Sequence, residues 1–223
     1  MSERHVPKVT GELRSHILAM PEEIYQASGI VVLGRRIKSV IFSTDIAIIR
    51  NCNADAVLAV YPFTPQQAIS HPIISASYMP VFCGVGGGTT TGKRTVTLAK
   101  DAEAQGAIGV VVNAPLPNES VSMIAEVVDI PIVVTVLTEH TDIDARLQAG
   151  VSILNISAAE RTPEVVKHIR SRYPTVPIIA TGGPTAESIL RTVEAGANTI
   201  SYTPPSTKIL FTSMMDKYRK AGF

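Results

Sequence analysis

A phrase that recurs four times along the chain restricts the fold more than any other feature of the sequence. Each copy is a small turn residue followed by a run rich in apolar and β-branched residues. The copies begin at Asn53, Gly106, Gly150 and Gly196, which are 53, 44 and 46 residues apart. A run of this kind is typical of a buried β-strand, and its repetition indicates a series of similar supersecondary units.

A second phrase, a proline flanked by apolar residues, alternates with the first. It occurs at Pro80, Pro131 and Pro177, with separations of 51 and 46 residues. Together with an apolar run at 39–43, the two phrases predict eight strands. These strands are expected to begin near residues 39, 56, 80, 108, 131, 151, 177 and 198.

The segments between the predicted strands have helical signals. Thr162 and Pro163 form a helix start, and Thr185 begins another helix that ends at Gly196. The mean strand spacing of about 23 residues accommodates a strand, a helix and two loops in each unit. We therefore predict an α/β fold, a (β/α)8 TIM barrel over residues 37–223.

Residues 1–36 lie outside the eight units. We expect a helix over 12–20 and a second, shorter one over 21–27. This N-terminal extension is predicted either to cap the amino-terminal end of the barrel or to form the contact in a homo-oligomer.

Charge and cysteine usage exclude several classes of partner. The chain has 20 Lys and Arg against 19 Asp and Glu, a net charge of +1, which argues against nucleic acid or an anionic membrane surface. Charged residues interrupt every long apolar stretch, so no membrane span is predicted. Two cysteines without CxxC spacing indicate a reducing cytoplasm. No metal-ligand spacing is visible, and neither a metal nor another cofactor is predicted.

The ends of the seventh and eighth predicted strands form a candidate anion site. Glycine lets backbone amides approach an anion because it has no Cβ, and the following helix directs its amino terminus at the same point. Many (β/α)8 barrels hold phosphate there. Phosphate binding is therefore predicted at Thr181, Gly182, Gly183, Ser201 and Thr203, a simple tight turn at the glycine pair being the alternative.

The stretch 177–203 resembles the phosphate-binding barrels of the ribulose-phosphate-binding type. That group includes N-acetylmannosamine-6-phosphate epimerase, thiamine-phosphate and thiazole synthases, and keto-deoxy-phosphogluconate aldolase. The likeness covers the closing quarter of the chain, and elsewhere it consists of strand spacing. It implies a phosphorylated small-molecule ligand held at Gly182, Gly183 and the end of strand eight.

A second glycine cluster, at 84–94, separates the third predicted strand from its helix. Its Gly87-x-x-x-x-Gly92-Lys93 pattern matches a P-loop up to Arg94, which stands where Ser or Thr would bind Mg²⁺. Eight repeating units also leave no room for the doubly wound NTPase fold. We interpret the cluster as a loop that closes over the barrel mouth, with a solvated linker as the alternative.

Polar residues near other strand ends are the candidates for catalysis. Asp45 and Glu139 are candidate general bases, although Asp45 equally suits a helix N-cap and Glu139 a capping turn. Lys93 and Asn155 are candidates for stabilising an oxyanion. Four further residues are predicted to contact substrate: Tyr61, Gly87, Gly88 and Asn113.

These residues favour three functions in a definite order. The first is a cytoplasmic enzyme of small-molecule metabolism, an isomerase, epimerase or lyase that transfers a proton next to a carbonyl of a phosphorylated substrate. The second is a non-catalytic barrel that binds such a metabolite as a sensor or regulator, since few titratable residues reach the strand ends. The third is a hydrolase, for which no nucleophile elbow or triad spacing is visible.

Overall fold

A computed structural model describes residues 7–9, 11–12 and 17–221, and its centre is a closed barrel of eight parallel strands. The ring closes where the last strand pairs with the first, with Ile200 beside Ser39. The (β/α)8 TIM-barrel prediction is therefore confirmed. A two-stranded hairpin, β1 (Ile30–Val32) and β2 (Arg35–Ile37), precedes the barrel. The barrel strands are β3 (Ser39–Phe42), β4 (Ala56–Ala59), β5 (Val81–Gly86), β6 (Gly109–Val112), β7 (Ile132–Val136), β8 (Ile153–Ile156), β9 (Ile178–Thr181) and β10 (Thr199–Tyr202).

A helix follows each barrel strand. Every barrel strand begins within two residues of its predicted position, because the glycines and prolines that open the strands are local signals. The expected helix starts are present, with Pro163 in the first turn of one helix and a Thr185–Ser188 capping box at another. The helices are α1 (Ile46–Arg50), α2 (Gln67–Ala76), α3 (Lys93–Ala104), α4 (Asn118–Ala125), α5 (Ile143–Gln148), α6 (Thr162–Arg172), α7 (Ala186–Glu194) and α8 (Thr207–Ala221).

The strands are buried on both faces. Successive residues point alternately to the barrel interior and to the helices. On β6, Val111 packs in the interior with Phe82, whereas Val110 and Val112 belong to the larger cluster under the helices. Eight strands covered on both sides account for the abundance of Val and Ile.

The hairpin β1–β2 packs against the amino-terminal end of the barrel. Ile30, Val32 and Ile37 are buried in the same apolar cluster as the interior strand residues. The Thr199 hydroxyl donates to the Ile37 carbonyl (2.7 Å), which ties the hairpin to β10. The hairpin therefore fills that end of the interior, and the division of the chain at residue 36 stays a prediction.

The segment 18–27 lies outside the barrel, beside α1 and α7. The Leu18 N–H donates to the Asn51 carbonyl at the end of α1 (2.7 Å), and a 3₁₀ helix, Glu22–Gln26, packs against α7. Ile24 is fully buried among residues of the outer cluster. The helix expected over 12–20 is not present at residues 17–20, because Leu18 pairs with Cys52 instead. Residues 13–16 of that expected helix lie outside the described residues.

The membrane prediction has one structural counterpart. Within the described ranges, none of the helices combines the length and the apolar composition that crossing a bilayer requires.

Candidate active site

Polar side chains at the carboxyl ends of the strands converge on the barrel mouth. Asn155 lies two residues after the interior residue Ile153 on β8, and therefore also points inward. The strand register places Thr135 beside Asn155, and Ser201 beside Thr181. The mouth thus presents hydroxyls and amides from neighbouring strands, at the end of the barrel where (β/α)8 enzymes carry their active sites.

A small polar pocket of about 100 Å³ lies at the ends of β8, β9, β10 and β3. Asn155, only 7% exposed, forms one wall. Its amide nitrogen donates to the Thr135 hydroxyl (3.3 Å), and its carbonyl oxygen has no partner among the described residues. One Thr135 hydroxyl can satisfy one amide atom at a time, so the other amide atom needs a ligand or a water. The remaining lining residues are Phe42, Leu58, Ser157, Thr181, Ser201 and Thr203.

A larger pocket of about 550 Å³ occupies the ends of β4, β5 and β6. Tyr61 lines it, and its hydroxyl accepts a hydrogen bond from the Gln66 N–H (2.9 Å), which holds the loop after β4. Asn113 also lines this pocket. In neither pocket does a charged side chain of the described chain form part of the lining.

The glycine-rich loop forms a wall of the larger pocket. Gly87 and Thr90 exchange two backbone hydrogen bonds (3.0 and 3.1 Å), and the Thr95 hydroxyl donates to the Thr90 carbonyl (2.8 Å). Gly87 has φ +124°, and a Cβ there would lie 2.5 Å from that of Asn113, so only glycine allows this approach. Gly88 faces open space. The loop is therefore braced against α3 beside the predicted substrate residues.

The glycine pair after β9 has packing roles. The Gly182 N–H already donates to the Ser201 carbonyl (3.2 Å), and a Cβ on Gly182 would lie 2.6 Å from Ile200. A Cβ on Gly183 would lie 2.6 Å from the Ser188 hydroxyl in the capping box. Pro204 and Pro205, between β10 and α8, contribute no N–H. The hydroxyls of the small pocket are therefore the donors available to an anion here. Phosphate binding at the ends of β9 and β10 stays a prediction.

Asp45 acts as the N-cap of α1. One carboxylate oxygen accepts from the N–H groups of Ala47 (2.8 Å) and Ile48 (3.2 Å), and the other accepts from the Thr207 hydroxyl. The Thr207 hydrogen bond is the main reason that the pKa of Asp45 is lowered. Asp45 lines neither pocket, so the N-cap alternative describes what this residue does in the structure.

Glu139, the other candidate base, pairs with Arg161. Its Oε1 accepts from the Arg161 guanidinium and lies 3.9 Å from His140 Nε2. A hydrogen bond from its own backbone N–H, followed by the bond from Arg161, lowers the pKa of Glu139. Its Oε2 is buried without a partner among the described residues. Glu139 does not line either pocket.

Lys93 begins α3 and is exposed. It follows Gly92, whose N–H donates to the Ser120 hydroxyl (3.2 Å), and it lines neither pocket. Of the four catalytic candidates, the structure therefore brings only Asn155 into a pocket. Its neighbours Thr135 and Ser157 and the apolar Phe42 were missed. The signal that finds them is the alternation along each strand, counted forward from an interior residue.

The fold and the site together define a (β/α)8 barrel with two pockets lined by uncharged residues at the carboxyl ends of its strands. No family model and no curated protein matches the chain. Solved structures of similar fold do match. Phosphoenolpyruvate phosphomutase from Streptomyces platensis subsp. rosaceus has 12% identity and a TM-score of 0.65, covering 89% of this chain and 86% of the other.

Two other similar structures carry different activities. A phosphonopyruvate hydrolase in complex with oxalate and Mg²⁺ has 14% identity and a TM-score of 0.63, covering 84% of this chain and 83% of the other. The aldolase QR15 has 17% identity and a TM-score of 0.56, covering 83% and 96%. A phosphomutase, a phosphonopyruvate hydrolase and an aldolase are thus structural neighbours of this chain. At identities this low, the likeness shows the fold alone. These structures do not show the resemblance to the ribulose-phosphate-binding barrels.

Proposed function

We propose that this protein is an enzyme of small-molecule metabolism that acts on a phosphorylated or carboxylate substrate, with isomerase, epimerase or lyase chemistry. The observation that carries the proposal is the buried Asn155 amide, which has one atom unpartnered at the wall of a polar pocket. Most buried side-chain polar atoms have at least one hydrogen-bond partner, so an amide with an unpartnered atom fits a site completed by a ligand. The mutase, hydrolase and aldolase neighbours support the enzyme class by analogy of fold.

The small pocket suits the charged end of such a substrate. Its volume of about 100 Å³ equals the share of about three liquid waters, which is the scale of a carboxylate or phosphate group. Ser157, Thr181, Ser201 and Thr203 each bring a hydroxyl that can donate to an anionic oxygen. The Thr181 and Ser157 hydroxyls lie 3.4 Å apart, close enough to contact one group.

The larger pocket suits the remainder of the substrate. Its volume of about 550 Å³ falls within the usual range of roughly 300–1,000 Å³ for small-molecule sites. Gly88 leaves its backbone open to this space, and Asn113 supplies an amide beside it. We expect a ligand that spans both pockets to place its reacting carbon between Asn155 and Tyr61.

In this proposal Tyr61 carries the transferred proton: its phenol donates a proton to the substrate carbonyl oxygen, and the phenolate so formed takes the proton from the adjacent carbon, which restores the phenol. Its phenol is the titratable group among the described residues that line the two pockets. Asp45 and Glu139 line neither pocket, and a lowered pKa makes each of them a weaker base. The pocket hydroxyls stabilise negative charge that develops on the substrate. The Asn155 amide does the same once it is turned over, so that its oxygen accepts from the Thr135 hydroxyl and its nitrogen is free to donate.

A sensor or regulator that binds the same ligand without turnover is the second candidate. The neutral lining of both pockets favours it, because acid–base catalysis needs titratable groups. Both candidate functions bind the same ligand, but only the enzyme converts it to a product. A panel of phosphate, oxalate, pyruvate and sugar phosphates, tested by thermal shift and then by product formation, separates them. A ligand at 100 times its Kd adds about 2.7 kcal/mol to the free energy of unfolding.

Matched amide variants locate the binding. Asn155→Leu removes the small-pocket amide, and Asn113→Leu removes the amide of the larger pocket. Loss of a hydrogen bond to a charged ligand costs about 1.5–3 kcal/mol, which is about a 10- to 150-fold rise in Kd. We expect Asn155→Leu to weaken the binding of simple anions such as oxalate by that factor, and Asn113→Leu to leave their binding unchanged. Equal binding of every anion to both variants and the wild type would refute the proposed site.

A further inference from the structure

The last helix, α8, has an apolar side that is exposed. Of its fifteen described residues none is buried. Apart from Ile209, which lies on the other side, its large apolar residues recur at i, i+1, i+4, i+5 and i+8, spacing that places them on one side of a helix. We call these five residues, which are 37% to 58% exposed, the α8 stripe: Leu210, Phe211, Met214, Met215 and Tyr218. Contiguous exposed apolar surface of this kind marks an interaction site.

The helix cannot bury this stripe in the usual place on its own barrel. In a (β/α)8 ring the eighth helix lies between the seventh and the first, over the outer faces of β10 and β3. Here the segment 18–27 lies beside α1 and α7 and buries Met20, Ile24 and Ala27 in one cluster with Ile41 and Ile200 of those strands. The place is therefore filled, and α8 must bury its stripe against something else.

A second exposed apolar group lies beside the start of α8. The Thr207 hydroxyl donates to Asp45, which holds the first turn of α8 next to the first turn of α1. Around this part of the rim, three large apolar residues are exposed, and we call them the rim patch: Phe42 (38%), Ile46 (38%) and Phe63 (73%). The stripe begins three residues after Thr207, about one helical turn from the part of the rim that holds Phe42 and Ile46. Phe63 lies in the loop after β4, the strand that pairs with β3.

The combined area matches what a stable dimer needs. At about 200 Å² for a large residue, the exposed fractions of the stripe and the patch amount to about 700 Å² of surface per chain. A standard stable interface takes about 800 Å² from each partner. A two-fold pair buries the same surface on both subunits at once, so neither stripe remains in water.

We propose that a second copy of this chain covers the α8 stripe and the rim patch, in a two-fold dimer. Phe42 lines the small pocket and Phe63 lines the larger one. The second copy therefore closes one side of the barrel mouth. The proposal concerns assembly, and it stands whether or not the mouth catalyses a reaction.

The first experiment measures the mass of the full chain by sedimentation at micromolar concentrations, without ligand. We expect a species of twice the 23.8 kDa chain mass. Hydrogen exchange of the wild type at increasing concentration should then show rising protection over 207–221, which requires no variant to fold. A monomer at every concentration, including one that binds anionic lipid vesicles through α8, would overturn the proposal.

Two double variants of α8 provide a matched comparison, because the four substituted residues are consecutive in the sequence. Phe211→Asp with Met214→Asp places two charges in the stripe, and Thr212→Asp with Ser213→Asp places them on the opposite side of the same helix. We expect the first pair to shift the dimer dissociation constant at least 100-fold and the second less than threefold. Both pairs should keep the far-ultraviolet circular dichroism of the barrel. Equal dissociation by both pairs, or by neither, would contradict an interface at the stripe.

Discussion

Removing the buried Asn155–Thr135 polar pair beside the small pocket should leave the protein at least as stable as before, while weakening the binding of anions. Asn155 and Thr135 share one hydrogen bond (3.3 Å), and the second amide atom of Asn155 has no partner among the described residues. The double variant Asn155→Leu, Thr135→Val replaces both groups with apolar side chains of similar size. Exchanging both members of a hydrogen-bonded pair in this way is close to neutral or stabilising.

The expected size of the effect comes from two opposing contributions. The double variant removes the cost of an unsatisfied buried group, about 1–3 kcal/mol, and loses a neutral hydrogen bond that contributes about 0.5–1.5 kcal/mol. The net gain is about 1 kcal/mol, or a Tm rise of about 2–4 °C for a chain of this length. Thr135→Val alone leaves both polar atoms of the Asn155 amide without a hydrogen-bond partner among the described residues. It should lower the free energy of unfolding by about 1–3 kcal/mol.

Urea unfolding and thermal melts of the ligand-free protein check this prediction. The matched control is Asn198→Leu at the opposite end of the barrel. Asn198 accepts from the Ile178 N–H (2.9 Å) and the Arg170 guanidinium (2.7 Å) and donates to Ser28 (2.9 Å), so the same substitution should cost about 2–4 kcal/mol. If the double variant at 155 and 135 also lost 2 kcal/mol or more, the Asn155 amide would be satisfied within the protein, and the argument for a ligand there would fail.

Three further predictions concern residues around the mouth. Asp45→Ala should lower the free energy of unfolding at pH 7 by about 0.5–2 kcal/mol through loss of the cap. Because the pKa of Asp45 is lowered in the folded state, this difference from wild type is complete above the unfolded-state pKa near 4. It disappears as the pH falls through the folded-state pKa. Gly182→Ala should cost about 1–3 kcal/mol in urea unfolding because its Cβ would meet Ile200, whereas Gly11→Ala, with open space around it, should change little. Arg146 donates to two carbonyls of the loop after β6, each at 2.6 Å. Arg146→Lys should therefore weaken ligand binding in the larger pocket about tenfold, as measured by calorimetry. Unchanged affinity would show that Arg146 does not hold this loop in its binding conformation.

The strands of the barrel were predictable because their signals are local. Each predicted strand is opened by a glycine, a proline or a small polar residue and continues as a β-branched run, so its position depends on fewer than ten neighbouring residues. The helix starts at Thr162 and Thr185 are local in the same sense. The expected helix over 12–20 is different, since Leu18 pairs with Cys52 across 34 residues of sequence. No local pattern reports such a pairing.

The candidate site was predictable in its location and less so in its members. Counting from strand ends places Asp45 and Glu139 at the correct end of the barrel. The structure directs Asp45 to the α1 backbone and Glu139 to Arg161, so neither reaches a pocket. A shift of one residue along a strand reverses which side chains point inward, and strand ends read from sequence are uncertain by about that much. Thr135 and Ser157 were therefore not found.

By itself, the sequence determined the eight βα units, the two-sided burial that their aliphatic runs require, and the end of the barrel at which function is expected. Tertiary structure decided that Asn155 bonds to Thr135 and lines one polar pocket with Thr181 and Ser201. It also decided that residues 18–27 take the place next to α7 and leave α8 exposed. The physical reason is the range of the forces involved. Strand and turn preferences act over a few bonds, whereas closure of the ring brings together side chains more than a hundred residues apart, such as Phe42 and Asn155.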